Sequence, residues 1–231
     1  MFQTYIYQPI LAVLVFIYNS VAAQDLGFAI ILLTIVVRVV LLPLFYKGAK
    51  DQALMQRLQP RIEEIQREHK ADKEQQAKAL MALYKEHKLN PFSSIFLLIL
   101  QLPIFFALFQ IFSRELAGTV FATHTLLGFV DLSAKSIPII LIAAALQYLQ
   151  GKLSIPPKTT PAKSSAAAVG KVMIIVGPIL TVVVLMNLPA ALGLYWLIST
   201  LFSVVQQVYI NRAMDRQTAD PKDKRKRIKD I

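Results

Sequence analysis

The chain has 231 residues, 55% of them apolar and only 17% charged, and its 25 Lys and Arg against 14 Asp and Glu leave a net charge of +11. That composition excludes an ordinary soluble domain, and so much charge on so apolar a chain must be segregated from the apolar stretches. With no cysteine, disulfide frameworks, Cys-ligated zinc, iron–sulfur clusters, thiol nucleophiles and a lipidated cysteine are excluded as well.

The first apolar stretch, Ile10–Tyr18, is short, and Asn19 and Ser20 follow it. It lacks the basic flank of a signal peptide. Pro9 reads as the first position of an interfacial or half-inserted helix on the outer face, within residues 1–24, with a sixth span as the alternative. Five later stretches approach or reach the length that spans a hydrocarbon core, about 17–25 helical residues. They are 26–46, 92–113, 137–153, 172–188 and 191–211, the third and fourth being short enough to require local thinning of a bilayer.

Between the first two spans, residues 47–91 carry apolar positions at helical spacing: Leu54, Leu58, Ile62 and Ile65, then Ala77, Leu80, Met81 and Tyr84. This predicts two amphipathic helices in an antiparallel hairpin that turns at Lys70–Glu74. Asn90 and Pro91 then cap and open the second span. Basic residues fix the orientation: 22 of the 25 fall in the 47–91 segment, between spans three and four, or after span five, whereas residues 1–24 carry none. The predicted fold is therefore an all-α polytopic membrane protein with five transmembrane helices, N-terminus out and C-terminus in. Residues 25–212 form its core and 213–231 a basic cytoplasmic tail. The run Lys222–Lys229 in that tail suits anionic lipid or ribosomal RNA.

One charge stands apart. Arg38 lies inside span one, eight residues before Tyr46, which in an unbroken helix puts it about 12 Å from the inner end. No span offers a carboxylate to answer it, and an Arg at such depth costs about 2.5–3.5 kcal/mol on insertion scales. A water-filled cavity open to the inner side is the expected remedy, lined from Thr34, Gln101, Gln110, Gln147, Tyr148, Gln150, Trp196, Ser199, Ser203 and Gln206. No ionisable relay, Asp pair, HExxH motif or phosphate loop accompanies it, and His69, His87 and His124 all fall outside the spans. No metal, no cofactor and no enzymatic reaction are expected. Transient binding of a polar or acidic segment fits, with a small channel or anion carrier using Arg38 as its selectivity charge as the alternative.

The blocks TIVVRVVLLPLF (Thr34–Phe45), LQPRIEEIQ (Leu58–Gln66), MALYKEHKLNPFSS (Met81–Ser94), LILQLPIFFALF (Leu98–Phe109) and ALGLYWLISTLFSVVQQ (Ala191–Gln207) together resemble the YidC/Oxa/Alb membrane protein insertases. The resemblance covers about residues 8–212 and implies a bacterial plasma-membrane insertase and chaperone. Such a protein receives nascent membrane proteins alone or beside the Sec translocon and releases them into the lipid bilayer.

The resemblance places Arg38, Thr34, Gln101 and Trp196 in a cytoplasm-open hydrophilic groove, which the cavity reading extends to Gln147, Tyr148 and Ser199, and it places Pro103 and Phe105 on a hydrophobic slide. Leu58, Pro60, Ile62, Met81 and Tyr84 fall in a substrate-recruiting hairpin. Two departures stand out: Trp196 occupies a position where relatives often have Tyr, and NPFSS replaces the commoner NPLGG.

Overall fold

The computed structural model describes residues 1–90, 92–116, 120–154 and 165–219, with the side chains of 94–98, 165–171, 173 and 217–219 left aside. Pro91 of the Asn-Pro pair, most of the linker after span three and the basic run Lys222–Lys229 lie outside the described residues.

Helix starts earlier than Pro9. A π-helical turn at Gln3–Tyr7 runs straight into α1, Gln8–Ser20. The Gln8 N–H reaches back to the Gln3 carbonyl, so the wider register carries the helix up to Pro9, which has no N–H to donate. The expectation of Pro9 as the first helical position is therefore corrected.

Helix α2, Leu26–Val40, is capped by Asp25, whose Oδ1 accepts the Phe28 N–H at 2.7 Å. The single helix expected over 26–46 does not form. Leu41, at φ −90° and ψ 0°, interrupts it, and α3, Leu42–Arg57, departs at 69°. Pro43 supplies the reason, because it has no N–H for the Val39 carbonyl and its ring crowds that carbonyl. A second proline, Pro60, acts the same way after Leu58 and opens α4, Gln59–Glu68. The stripe expected to be continuous through Leu54, Leu58, Ile62 and Ile65 is thus divided between two helices. Asp72 caps α5, Lys73–Glu86, accepting the Glu74 and Gln75 N–H groups at 3.0 Å each. Asn90 Oδ1 accepts the Phe92 N–H ahead of α6, Ser93–Glu115, which keeps Pro103 in its interior.

A short antiparallel hairpin follows, β1 (Thr125–Leu126) and β2 (Val130–Asp131). Next come α7, Ile137–Ser154, α8, Ser165–Leu185, and α9, Ala190–Ala219. Among the described residues, Ile137–Ser154 and Ala190–Arg216 are each long and apolar enough to cross a membrane, and the bent α2–α3 pair qualifies as a third crossing if counted as one span. Helix α9 packs against α7 and α2, and α3 packs against α6 and α9.

The main core sits at one end of the bundle. It joins Leu14 and Tyr18 of α1, Leu26, Ile30 and Leu33 from the start of α2, Leu108, Ile111 and Phe112 from the end of α6, and Ala191–Tyr195 from the start of α9. Phe121 and Leu132 from the connecting segment close it. Gly27 permits this closure: a Cβ there would stand 2.5 Å from the Leu126 Cβ and 2.8 Å from its Cα. Leu127, next along, takes φ +53°, a left-handed conformation that costs an L-residue roughly 1–2 kcal/mol. Asp25 holds it there, accepting the Leu127 N–H on Oδ2 at 2.5 Å. At the far end a small cluster of Ala53, Ile210 and Met214 ties α3 to α9.

Candidate functional site

Arg38 occupies the last turn of α2, immediately beyond the core residues Leu33 and Thr34. The break at Leu41 changes its setting twice over. First, the cation now sits at a helix C-terminus, where the unpaired carbonyls and the macrodipole favour positive charge. Second, the bend returns Phe45 toward it. In a straight helix seven residues separate two side chains by about 10.5 Å along the axis, yet the guanidinium carbon stands 4.7 Å from the Phe45 ring centroid, within cation–π range. Arg38 is only 8% exposed, and among the described residues it forms no ion pair.

Polar groups converge on it from two further helices. Tyr195 of α9 is buried within electrostatic reach of the guanidinium. Its hydroxyl accepts a hydrogen bond from the Gln101 Nε2 of α6. One turn beyond Tyr195, Ser199 is buried with its hydroxyl within reach of the phenol. Thr34 is buried too, but its hydroxyl donates to the Ile30 carbonyl at 2.6 Å, which leaves its lone pairs as the available function. A permanent cation, a phenol, an amide and a second hydroxyl thus share one site without a carboxylate among the described residues. That set offers donors to an incoming anion and no group able to take up and release a proton at neutral pH.

Beside the polar cluster lies an aromatic wall. Phe105 meets Trp196 edge to face at 5.8 Å and Phe106 at 6.1 Å. Pro103 stands half-buried on the same helix between Gln101 and Phe105. Trp196 therefore joins the apolar side of the site, and the hydroxyl contact is supplied by its neighbour Tyr195.

The α7 candidates have other partners: Gln147 lies against Gly177 of α8, 3.8 Å from where a Cβ would be, and half-exposed Tyr148 carries the Lys152 ammonium over its ring at 4.8 Å. Neither contact reaches α2. Ser203 donates to the Ser199 carbonyl, Gln206 is buried with Oε1 unpartnered, and Gln110 accepts from Gln3 at the other end of α6.

Of the residues expected in the recruiting segment, Leu58 forms the α3–α4 junction and Pro60 opens α4. Ile62 is buried, Tyr84 half-buried and Met81 exposed. Among the described residues no cluster of His, Asp or Glu could hold a metal ion.

Phe45 and Tyr195 escaped the sequence reading. Pro43 was the signal for the first, since a proline five residues after Arg38 announces the bend that brings Phe45 over it. For the second, Tyr195 and Trp196 are adjacent aromatics in one apolar run, and no spacing signal singles out the phenol.

Residues 16–218 match the family described as 60Kd inner membrane protein. The chain is similar to the membrane protein insertase YidC of Geotalea daltonii, at 34% identity over 213 residues, 90% of this chain and 37% of that protein. The corresponding proteins of Geobacter sulfurreducens and Magnetococcus marinus are each 33% identical, over 92% and 91% of this chain and 38% and 36% of their own lengths. The chain therefore spans less than two fifths of the curated relatives it matches.

Proposed function

Since the chain belongs to the 60Kd inner membrane protein family of YidC-type insertases, we propose that it inserts and chaperones nascent membrane proteins, with the Arg38 cluster as its substrate-receiving groove. The observation that carries this reading is a buried cation with donors around it and, among the described residues, no carboxylate to neutralise it. Desolvated and unpaired, such a charge favours a transient visitor bearing an acidic or polar group.

A translocating segment enters from the cytoplasmic side, pairs briefly with Arg38 and the Tyr195–Gln101 donors, then slides past Phe105 and Trp196 as its apolar helix partitions into lipid. Partitioning supplies the driving force, about 0.8 kcal/mol per buried CH₂. At 18 residues α7 spans about 27 Å, which favours a locally thinned bilayer there.

The same reading places five spans in the bacterial plasma membrane with the N-terminus outside and the C-terminus in the cytoplasm. Helices α4 and α5 serve as the recruiting hairpin. The Sec translocon is a co-worker, and the basic tail contacts ribosome or anionic lipid. The deciding experiment compares Arg38→Ala and Arg38→Lys in proteoliposomes fed a single-span substrate with an acidic N-tail. Loss in the first and partial retention in the second are expected, together with photocrosslinks from positions beside Arg38 to a stalled nascent chain. Full insertion activity of Arg38→Ala would overturn the role given to the Arg38 charge, and a steady anion flux through substrate-free vesicles that vanishes in that variant would replace the insertase reading with a channel.

A further inference from the structure

We propose that the tip of the β1–β2 hairpin is a lipid anchor that seats Leu127 and Phe129 in the boundary between headgroups and acyl chains of the outer leaflet. This rests on the membrane placement of α2 given above. Leu127 is 70% exposed and Phe129 91% exposed, at the end of a hairpin whose tip, from Leu126 to Val130, carries no charge. The tip cannot fold its apolar side chains back into the protein. Leu126 is pressed against Gly27 and Asp25 grips the Leu127 N–H. Further back, the Thr123 N–H donates to the Tyr18 hydroxyl at 2.9 Å, and Leu132 is fastened to α9 through the Ala191 N–H at 3.0 Å.

These tethers fix the height of the tip as well as its shape. Asp25 caps α2, an apolar helix, and Gly27 stands in its first turn, so a hairpin clamped to that turn lies level with the edge of the hydrocarbon. The backbone supports the same conclusion. A bulky residue at φ +53° occupies a position where glycine or asparagine would be unstrained, and strain held in place by a specific hydrogen bond marks a side chain displayed for use. Lipid is the occupant because two side chains offer far less than the roughly 800 Å² per partner of a stable protein interface, whereas a Leu and a Phe suffice to hold an already tethered loop at a bilayer surface.

The chain has no cysteine, so Phe129→Cys or Leu127→Cys provides a sole thiol for a nitroxide. The full chain is reconstituted in vesicles of phosphatidylethanolamine and phosphatidylglycerol. Label accessibility to oxygen is then compared with accessibility to an aqueous nickel chelate, with Lys135→Cys as the aqueous reference and Val36→Cys reporting on α2. The anchor predicts that oxygen exceeds nickel severalfold at 127 and 129, and the reverse at 135. An aqueous signal at 127 and 129 with a lipid signal at 36 overturns the anchor and leaves the membrane placement of α2 standing. An aqueous signal at 36 overturns both, and dipolar broadening at 129 overturns the anchor in favour of a second copy of the chain.

Discussion

The amide nitrogen of Gln101 on α6 donates to the hydroxyl of Tyr195 on α9, joining two helices 94 residues apart beside the only cation among the described residues of α2. The bond does two things at once. It satisfies a buried phenol and a half-buried amide, and it holds the phenol within electrostatic reach of Arg38.

Tyr195→Phe should therefore weaken the site without emptying it. The ring stays, but the half-buried Gln101 donor loses its partner, which costs about 1 kcal/mol of stability. Unfolding in detergent micelles measures that loss. Insertion of an acidic-tailed substrate should fall by less than in Arg38→Ala, and equal loss in the two variants would give the phenol a role as large as the cation's.

Gly27→Ala tests the closure of the core. Its new Cβ would stand 2.5 Å from the Leu126 Cβ and Cδ1, and overpacking of this kind typically costs about 1–3 kcal/mol. Adding Leu126→Ala should restore little, because the Cβ and the Cα at 2.8 Å both remain. A double variant as stable as wild type in thermal unfolding would contradict the clash.

At the opposite end Arg57 of α3 and Asp215 of α9 pair at 2.6 Å, with the carboxylate largely exposed. Exposed pairs contribute about 0.2–1 kcal/mol. A double-mutant cycle with Arg57→Ala and Asp215→Asn should return a coupling in that range that shrinks as salt is added. A coupling indifferent to salt would point to packing instead.

Asp131 gives the hairpin a pH dependence. The Ser133 hydroxyl at 2.6 Å and the Ser133 N–H at 2.8 Å hold its carboxyl below the ordinary aspartate value. A folded-state value below the unfolded one means that the contribution is complete above the unfolded pKa, near 3.9, and disappears as pH falls through the folded value. A fluorophore on residue 129 should gain mobility on acidification below about pH 4, and Asp131→Asn should remove that response. Loosening of the hairpin on alkalinisation instead would reverse the sign and refute the assignment.

Much of the helical layout is legible in the sequence because long apolar runs leave few alternatives: each of the five runs corresponds to a helix or, for the first, to a helix and part of the next. Asn90 was expected to cap the second span, but its side chain only turns the chain onto the Phe92 N–H, and α6 starts from Phe92 without a side-chain cap. What escaped depended on angles or distant neighbours. The apolar run of span one continues unbroken through Leu41, so hydropathy hides a 69° bend that only Pro43 betrays. Without the bend Phe45 has no reason to meet Arg38. The clamp between Gly27 and Leu126 joins residues about a hundred positions apart, and no local spacing encodes it. Within the site, Gln101 and Ser199 were readable as polar letters in apolar helices, whereas Tyr195 was overshadowed by the larger aromatic beside it.

The lopsided core has an electrical consequence. If water reaches Arg38 from the cytoplasm, the transmembrane voltage falls mainly across the packed end, where Leu14, Ile30, Phe112 and Leu192 exclude it. On the insertase reading proposed above, a substrate carboxylate leaving Arg38 for the outside then crosses most of the field in a short step, worth about 2.3 kcal/mol per charge per 100 mV. An inside-negative potential drives that step outward, so the same packing that seals the bilayer focuses the membrane's own voltage onto the departing charge.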